Sequence, residues 1–186
     1  MNIPTKNIEE STSELSKWID RLKVLPDRNE REWRAYFLRN NVWIEDLDSI
    51  GYYMVESHES AVFKGYSEQE VFKVRQSGMN NTYIGSKSFI NTLQSALWHN
   101  LLFPHTYYNL VGFTSYRNGI RAVLRQGYIK GEKATAGQIV DFLNANGFVS
   151  VRCQNLGVSG SKDELIVSDI HEDNAIVVDG QVRVID

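Results

Sequence analysis

Apolar positions along the first fifty residues recur at helical spacing. Ser11, Leu15, Trp18, Ile19, Leu22 and Leu25 follow one another at three- and four-residue steps, which predicts an amphipathic helix over about 8–24, closed by Pro26. A second helix is predicted from near Asp27, with Trp33, Tyr36, Phe37 and Leu38 on one face. The simplest role for these aromatics is to dock the helices on the rest of the chain.

From Gly51 the pattern shortens to strand-like runs. Strands are predicted at 51–55, 60–64 and 70–74, with a turn at 65–67 and a polar loop at 78–82. Residues 88–103 return to helical spacing through Phe89, Ile90, Leu93, Leu97, Leu101 and Leu102, and Pro104 ends that helix. Two hairpins are marked by their turns, one pairing 110–116 with 120–124 around Arg117-Asn118-Gly119, the other pairing 175–178 with 181–185 around Asp179-Gly180. Between them, 135–146 reads as a helix stopped by Gly147, 148–152 as a strand and 157–161 as a Gly/Ser loop. Helices and strands are grouped and not alternating, so the fold class is α+β.

Composition narrows the function classes. With 20 basic and 23 acidic residues spread along 186 positions and a net charge of -3, nothing demands nucleic acid as an obligatory partner. The single cysteine, Cys153, excludes an internal disulfide and a cysteine-rich metal site, and is consistent with a reducing compartment. No apolar run approaches the roughly 18 residues of a spanning helix, so no membrane partner is expected and the expected location is cytoplasmic.

The chemistry concentrates near Asp169. Ser168-Asp169-Ile170-His171-Glu172-Asp173-Asn174 gathers oxygen and nitrogen ligands beside an apolar hairpin, and Asp186 stands at that hairpin's far end. Asp and Asn oxygens suit Mg²⁺ carrying phosphates, and a two-residue turn returns the chain to its start. An acidic surface loop followed by an ordinary hairpin explains the same residues equally well.

The pattern Asp169-x-x-x-x-Asn174, with Asp186 twelve residues later, resembles the catalytic loop of protein kinases. Its text, Asp-Ile-His-Glu-Asp-Asn, is more similar to the Asp-x-His-x-x-Asn of aminoglycoside phosphotransferases and other atypical kinases than to the His-Arg-Asp form. The layout over about 51–186 most resembles the small kinase-like domain of phage and mobile-element polyvalent proteins.

That resemblance implies a reduced protein-kinase-like fold. A helical extension at 1–50 would precede an N-lobe at about 51–124, a hinge at 125–128 and a minimal C-lobe at 129–186. ATP and Mg²⁺ would be the ligands, with an unidentified small molecule or protein as phosphate acceptor. Asp169 would be the catalytic base, and Asn174 and Asp186 the metal ligands. Val71-Phe72-Lys73-Val74 resembles the Val-Ala-Ile-Lys strand and nominates Lys73 for the phosphates, with Lys64 as competitor. Leu124, Gln126 and Glu59 complete the implied nucleotide-binding set, with the hinge backbone pairing with adenine.

The chain departs from the pattern in places. Glu56 to Ser60 stands where a Gly-rich phosphate loop belongs and has no glycine, and 88–103 contains no acidic partner for Lys73, leaving Gln94 or Glu59 as substitutes. No activation segment or helical substrate lobe follows Asp186, so an ordinary protein-substrate kinase is not expected. The first alternative is a nucleotide-binding pseudokinase or interaction module without turnover. The second is a calcineurin-like metallophosphoesterase, suggested by Ser168-Asp169-x-His171 but short of histidines, of which the chain has four.

Overall fold

The computed structural model describes residues 6–57, 60–75, 86–117, 119–153 and 157–186. The chain forms two compact units, Met1–Tyr128 and Ile129–Asp186.

The first unit opens with two capped helices. Helix α1 (Ile8–Lys23) is started by Asn7, whose side chain accepts from the Glu10 N–H at 2.9 Å while the Glu10 carboxylate accepts from the Asn7 N–H. Helix α2 (Glu30–Arg39) repeats the device with Asn29 and Glu32. Leu15, Trp18, Ile19 and Leu22 of α1 are buried as their spacing predicts; in α2 Trp33 and Phe37 are buried, whereas Leu38 is exposed. Leu38 follows Phe37 directly, and a rotation of about 100° per residue takes it off the buried stripe.

Strands β1 (Gly51–Glu56), β2 (Ser60–Gly65), β3 (Glu70–Arg75), β4 (Asn109–Ser115) and β5 (Ile120–Gly127) form one antiparallel sheet in the order β1-β2-β3-β5-β4. Helix α3 (Ser86–Leu102) lies in the chain between β3 and β4. The helices cover one face through Leu15, Trp18, Phe37, Phe89 and Leu93, packed on Leu110, Phe113 and Leu124. Phe37 stacks on Phe113 with ring centroids 3.8 Å apart, and Trp18 and Phe89 meet the edges of that pair. Ile44, Ile50, Ala61, Phe63, Phe72, Val74 and Val123 form a second cluster on the opposite face. Strand β5 is therefore buried at every position from Ile120 to Gln126. The N-terminal helices, set apart as an extension by sequence, share this unit's core.

The second unit contains helix α4 (Ala136–Ala145), capped by Thr135 and Gln138, and two small sheets. One, in the order β7-β8-β9, joins β7 (Val149–Cys153), β8 (Gly157–Lys162) and β9 (Leu165–Ile170). The other, in the order β11-β10-β6, joins β6 (Glu132–Lys133), β10 (Ala175–Val178) and β11 (Gln181–Val184). Residues 157–161, read from sequence as a loop, are thus a strand. Gly160 is closely packed there, since a Cβ would lie 3.1 Å from Phe148 Cβ and 3.3 Å from Leu143 Cδ1. Residues 125–127, read as a hinge, form the end of β5 and pair with Glu70, Val71 and Phe72. The predicted loop at 78–82 lies outside the described residues. No helix among the described residues is long and apolar enough to cross a membrane.

Candidate functional site

Lys73 sits in the middle of β3, opposite Val62 of β2 and Leu124 of β5. Its neighbours Phe72 and Val74 belong to the cluster on the far face, so strand alternation turns Lys73 to the face that carries the helices. It is 6% exposed, and its Nζ donates to the Tyr108 hydroxyl at 2.9 Å. Lys64, its competitor, lies one strand away with its Nζ 4.7 Å from the Tyr128 ring centroid. Tyr108 was not singled out by sequence, because no spacing rule links positions 35 residues apart.

Polar groups around Tyr108 are paired and buried. Asn100 of α3 accepts from the Tyr108 N–H at 2.6 Å and donates to the Tyr108 carbonyl at 2.9 Å. His99 Nε2 lies 3.1 Å from the Thr106 carbonyl and 3.0 Å from its hydroxyl.

Leu124 is fully buried in the helix-side core, and Gln126 is buried with its Nε2 donating to the Thr106 carbonyl at 2.5 Å. The Tyr128 N–H donates to the Gln69 carbonyl at 2.7 Å, so this hinge-end donor is already used inside the unit. Glu59, the remaining nucleotide-binding candidate, lies outside the described residues.

The remaining candidates belong to the second unit. Asp179 and Gly180 have φ of 49° and 75°, the left-handed pair of a type I′ turn, and the ladder they close runs from Val178 opposite Gln181 to Ala175 opposite Val184. Beyond it, the Ile185 N–H donates to the Asn174 carbonyl at 2.8 Å. The hairpin therefore brings Ile185 opposite Asn174, with Asp186 the next residue along, and Asn174 and Asp186 are both half-buried.

Asp169 is exposed and has a left-handed backbone, φ 62°, a conformation that Asp tolerates better than most residues. The Asn174 side chain donates from Nδ2 to the Asp169 carbonyl at 3.1 Å. That bond fixes which end of the amide is nitrogen and leaves Oδ1 as the end available to a cation. His171 Nε2 lies 3.1 Å from the same Nδ2, and its Nδ1 lies 3.2 Å from the Asp173 N–H. A neutral imidazole has one acceptor nitrogen, so it accepts from only one of the two.

Lys133 of β6 pairs with the exposed Asp173. The Lys133 hydrogen bond, with its charge, holds the Asp173 carboxyl below its usual range, and the same bond raises the Lys133 ammonium. Among the described residues no group of three or more His, Cys, Asp or Glu side chains is placed to hold a metal ion. The candidate set Asp169, Asn174 and Asp186 contains two carboxylates and one amide, a donor chemistry that suits Mg²⁺ carrying phosphates.

Residues 27–186 match a family described as serine/threonine/tyrosine kinase found in polyvalent proteins, and the match begins within the helical segment ahead of the sheet. No curated protein and no solved structure matches the chain. The match covers most of the sequence and is to kinases, not to metallophosphoesterases; the chain belongs to the family of kinases found in polyvalent proteins.

Proposed function

We propose that the chain is an ATP- and Mg²⁺-dependent phosphotransferase. The observation that carries this reading is the loop from Asp169 to Asn174, anchored by the amide-to-carbonyl bond, followed by a hairpin that returns Ile185, the residue before Asp186, to Asn174. Asn174 Oδ1 and the Asp186 carboxylate are the metal ligands, and Asp169 is the group that accepts the proton of the acceptor hydroxyl. Bound Mg²⁺ supplies positive charge that offsets the charge building on the transferring phosphoryl oxygens.

Lys73 is the phosphate-contacting cation of the first unit. Leu124 shapes the wall behind it. Because the Gln126 amide is committed to Thr106, its contribution to adenine comes through the backbone of the strand end. The order β1-β2-β3-β5-β4, with α3 between β3 and β4, supports the reading of this unit as a kinase-like N-lobe.

Thermal melts with ATP, with Mg²⁺ and with both test the proposal. A ligand that binds only the folded state adds about 2.7 kcal/mol at 100 times its dissociation constant. The largest shift is expected for the pair, diminished by Lys73→Ala and by Asp186→Ala. No shift at millimolar concentrations moves the reading to an interaction module that keeps the family's fold without nucleotide.

A further inference from the structure

We infer that Tyr108 is the positioning residue for Lys73, and that it links the lysine to helix α3. The inference rests on the reading of Lys73 as the phosphate-contacting residue. Its observations are the 2.9 Å bond from Lys73 Nζ to the Tyr108 hydroxyl and the reciprocal pair between the Tyr108 backbone and the Asn100 side chain. Tyr108 is 1% exposed and Asn100 is 1% exposed, so neither bond competes with water.

The chain of contacts has a direction. Asn100 lies in the last turn of α3, and its amide uses both ends on one residue, which fixes where β4 begins relative to the helix. The Tyr108 ring is held in turn by His99, whose ring centroid lies 4.7 Å away. A phenol placed this way has few rotamers open to it, so its hydroxyl is a fixed acceptor for a long, flexible ammonium side chain. The Lys73 Nζ is 5.2 Å from the Tyr108 ring centroid, and the hydroxyl at 2.9 Å is the closer contact. A carboxylate in that place would orient the ammonium and also cancel its charge. A phenol hydroxyl orients it through one neutral acceptor. Movement of the end of α3 would thereby move the lysine.

The test is a double-mutant cycle on the full chain with Tyr108→Phe, Lys73→Met and the pair, reading ATP·Mg²⁺ dissociation constants and, where turnover is seen, kcat and KM. Tyr108→Phe keeps the ring and removes only the hydroxyl. Its expected effect is a loss of roughly tenfold in affinity or kcat, with the unliganded melting temperature reporting separately on folding. In the Lys73→Met background the same substitution should have no further effect. The amine-proton resonance of Lys73, followed in lysine-labelled protein, should shift and broaden in Tyr108→Phe, a readout that packing alone does not move and that stands even if the cycle is obscured by poor folding. Additive losses, or an unchanged lysine resonance, overturn the positioning role. If Lys73→Met itself leaves nucleotide binding unaltered, the lysine reading fails and this inference fails with it. If Lys73→Met weakens binding and Tyr108→Phe does not, only the inference fails.

Discussion

The side-chain amide of Asn174 donates to the backbone carbonyl of Asp169 across 3.1 Å, at a residue whose own backbone is left-handed. This bond makes the nitrogen end of the amide structural. Asn174→Asp replaces that donor with a carboxylate facing a carbonyl, so a stronger metal ligand comes with a broken loop. Asn174→Asp and Asn174→Ala are both expected to remove the Mg²⁺-dependent part of the ATP melt shift. Full retention of that shift in Asn174→Asp would show that the amide bond has no part in holding the ligand.

Asp169→Asn separates chemistry from folding unusually well. Asn is among the residues that accept a left-handed backbone, so the φ of 62° is kept without new strain. Loss of a general base costs roughly 10²–10⁴-fold in rate, and that loss is expected in kcat with nucleotide affinity nearly unchanged. Single-turnover phosphotransfer and equilibrium binding, measured on the same preparation, check it; equal turnover in both proteins rejects the role.

Phe37 carries much of the first unit's packing, stacked on Phe113 and surrounded by Trp18, Trp33 and Phe89. Phe37→Ala should destabilise the chain by about 3–5 kcal/mol. Chemical denaturation provides the measurement, and a cost under about 1 kcal/mol would contradict the placement of α2 on the sheet.

The exposed pair Lys133 and Asp173 yields a pH prediction with a definite sign. The Asp173 carboxyl is lowered by the Lys133 hydrogen bond, so its contribution is present above the unfolded value of about 3.9 and is lost as pH falls through the lowered value. The Lys133 ammonium is raised, so its contribution is present below the unfolded value of about 10.4 and is lost as pH rises through the raised one. Stability near neutral pH should not respond to this pair's titration. Lys133→Ala should return Asp173 towards its ordinary range in a carboxyl NMR titration, and added salt should shrink the difference because both groups are solvated.

Much of the sheet and the turn of the second hairpin were legible from local pattern, while Asn118 of the first predicted turn lies outside the described residues. The strand-like run Val71 to Val74, helical spacing from Leu15 to Leu22 and the Asp179-Gly180 turn each express a rule that operates within a few residues. Gly157 and Gly160 show where local rules stop. Their composition reads as a loop, but both serve strand β8, Gly157 because a Cβ would come within 2.6 Å of the Ile170 carbonyl oxygen, which is a contact from a distant part of the chain. The same limit applies to the candidate site. The spacing from Asp169 to Asn174 and the hairpin that leads to Asp186 are local, whereas the partnership of Lys73 with Tyr108 joins strand β3 to the residue just before β4 and carries no mark in either segment. The strand that continues through 125–127 was missed for a related reason, since Glu70 to Phe72 hold it there by pairing and not by any preference of Arg125 or Gln126.

The sheet order β1-β2-β3-β5-β4 places β3 and β5 inside and leaves β1 at an edge, with Tyr52, Tyr53, Met54 and Val55 exposed. The other edge, β4, is covered at Phe113 by backbone bonds to Val42 and Ile44, so deuterium should enter this sheet more readily from the β1 side. Amides of β1 are expected to exchange through local fraying, while those of Phe72 to Val74 and Ala122 to Leu124 exchange only when the whole unit opens, so the slowest amides in β3 and β5 report the unit's full opening free energy and those of β1 report a much smaller one.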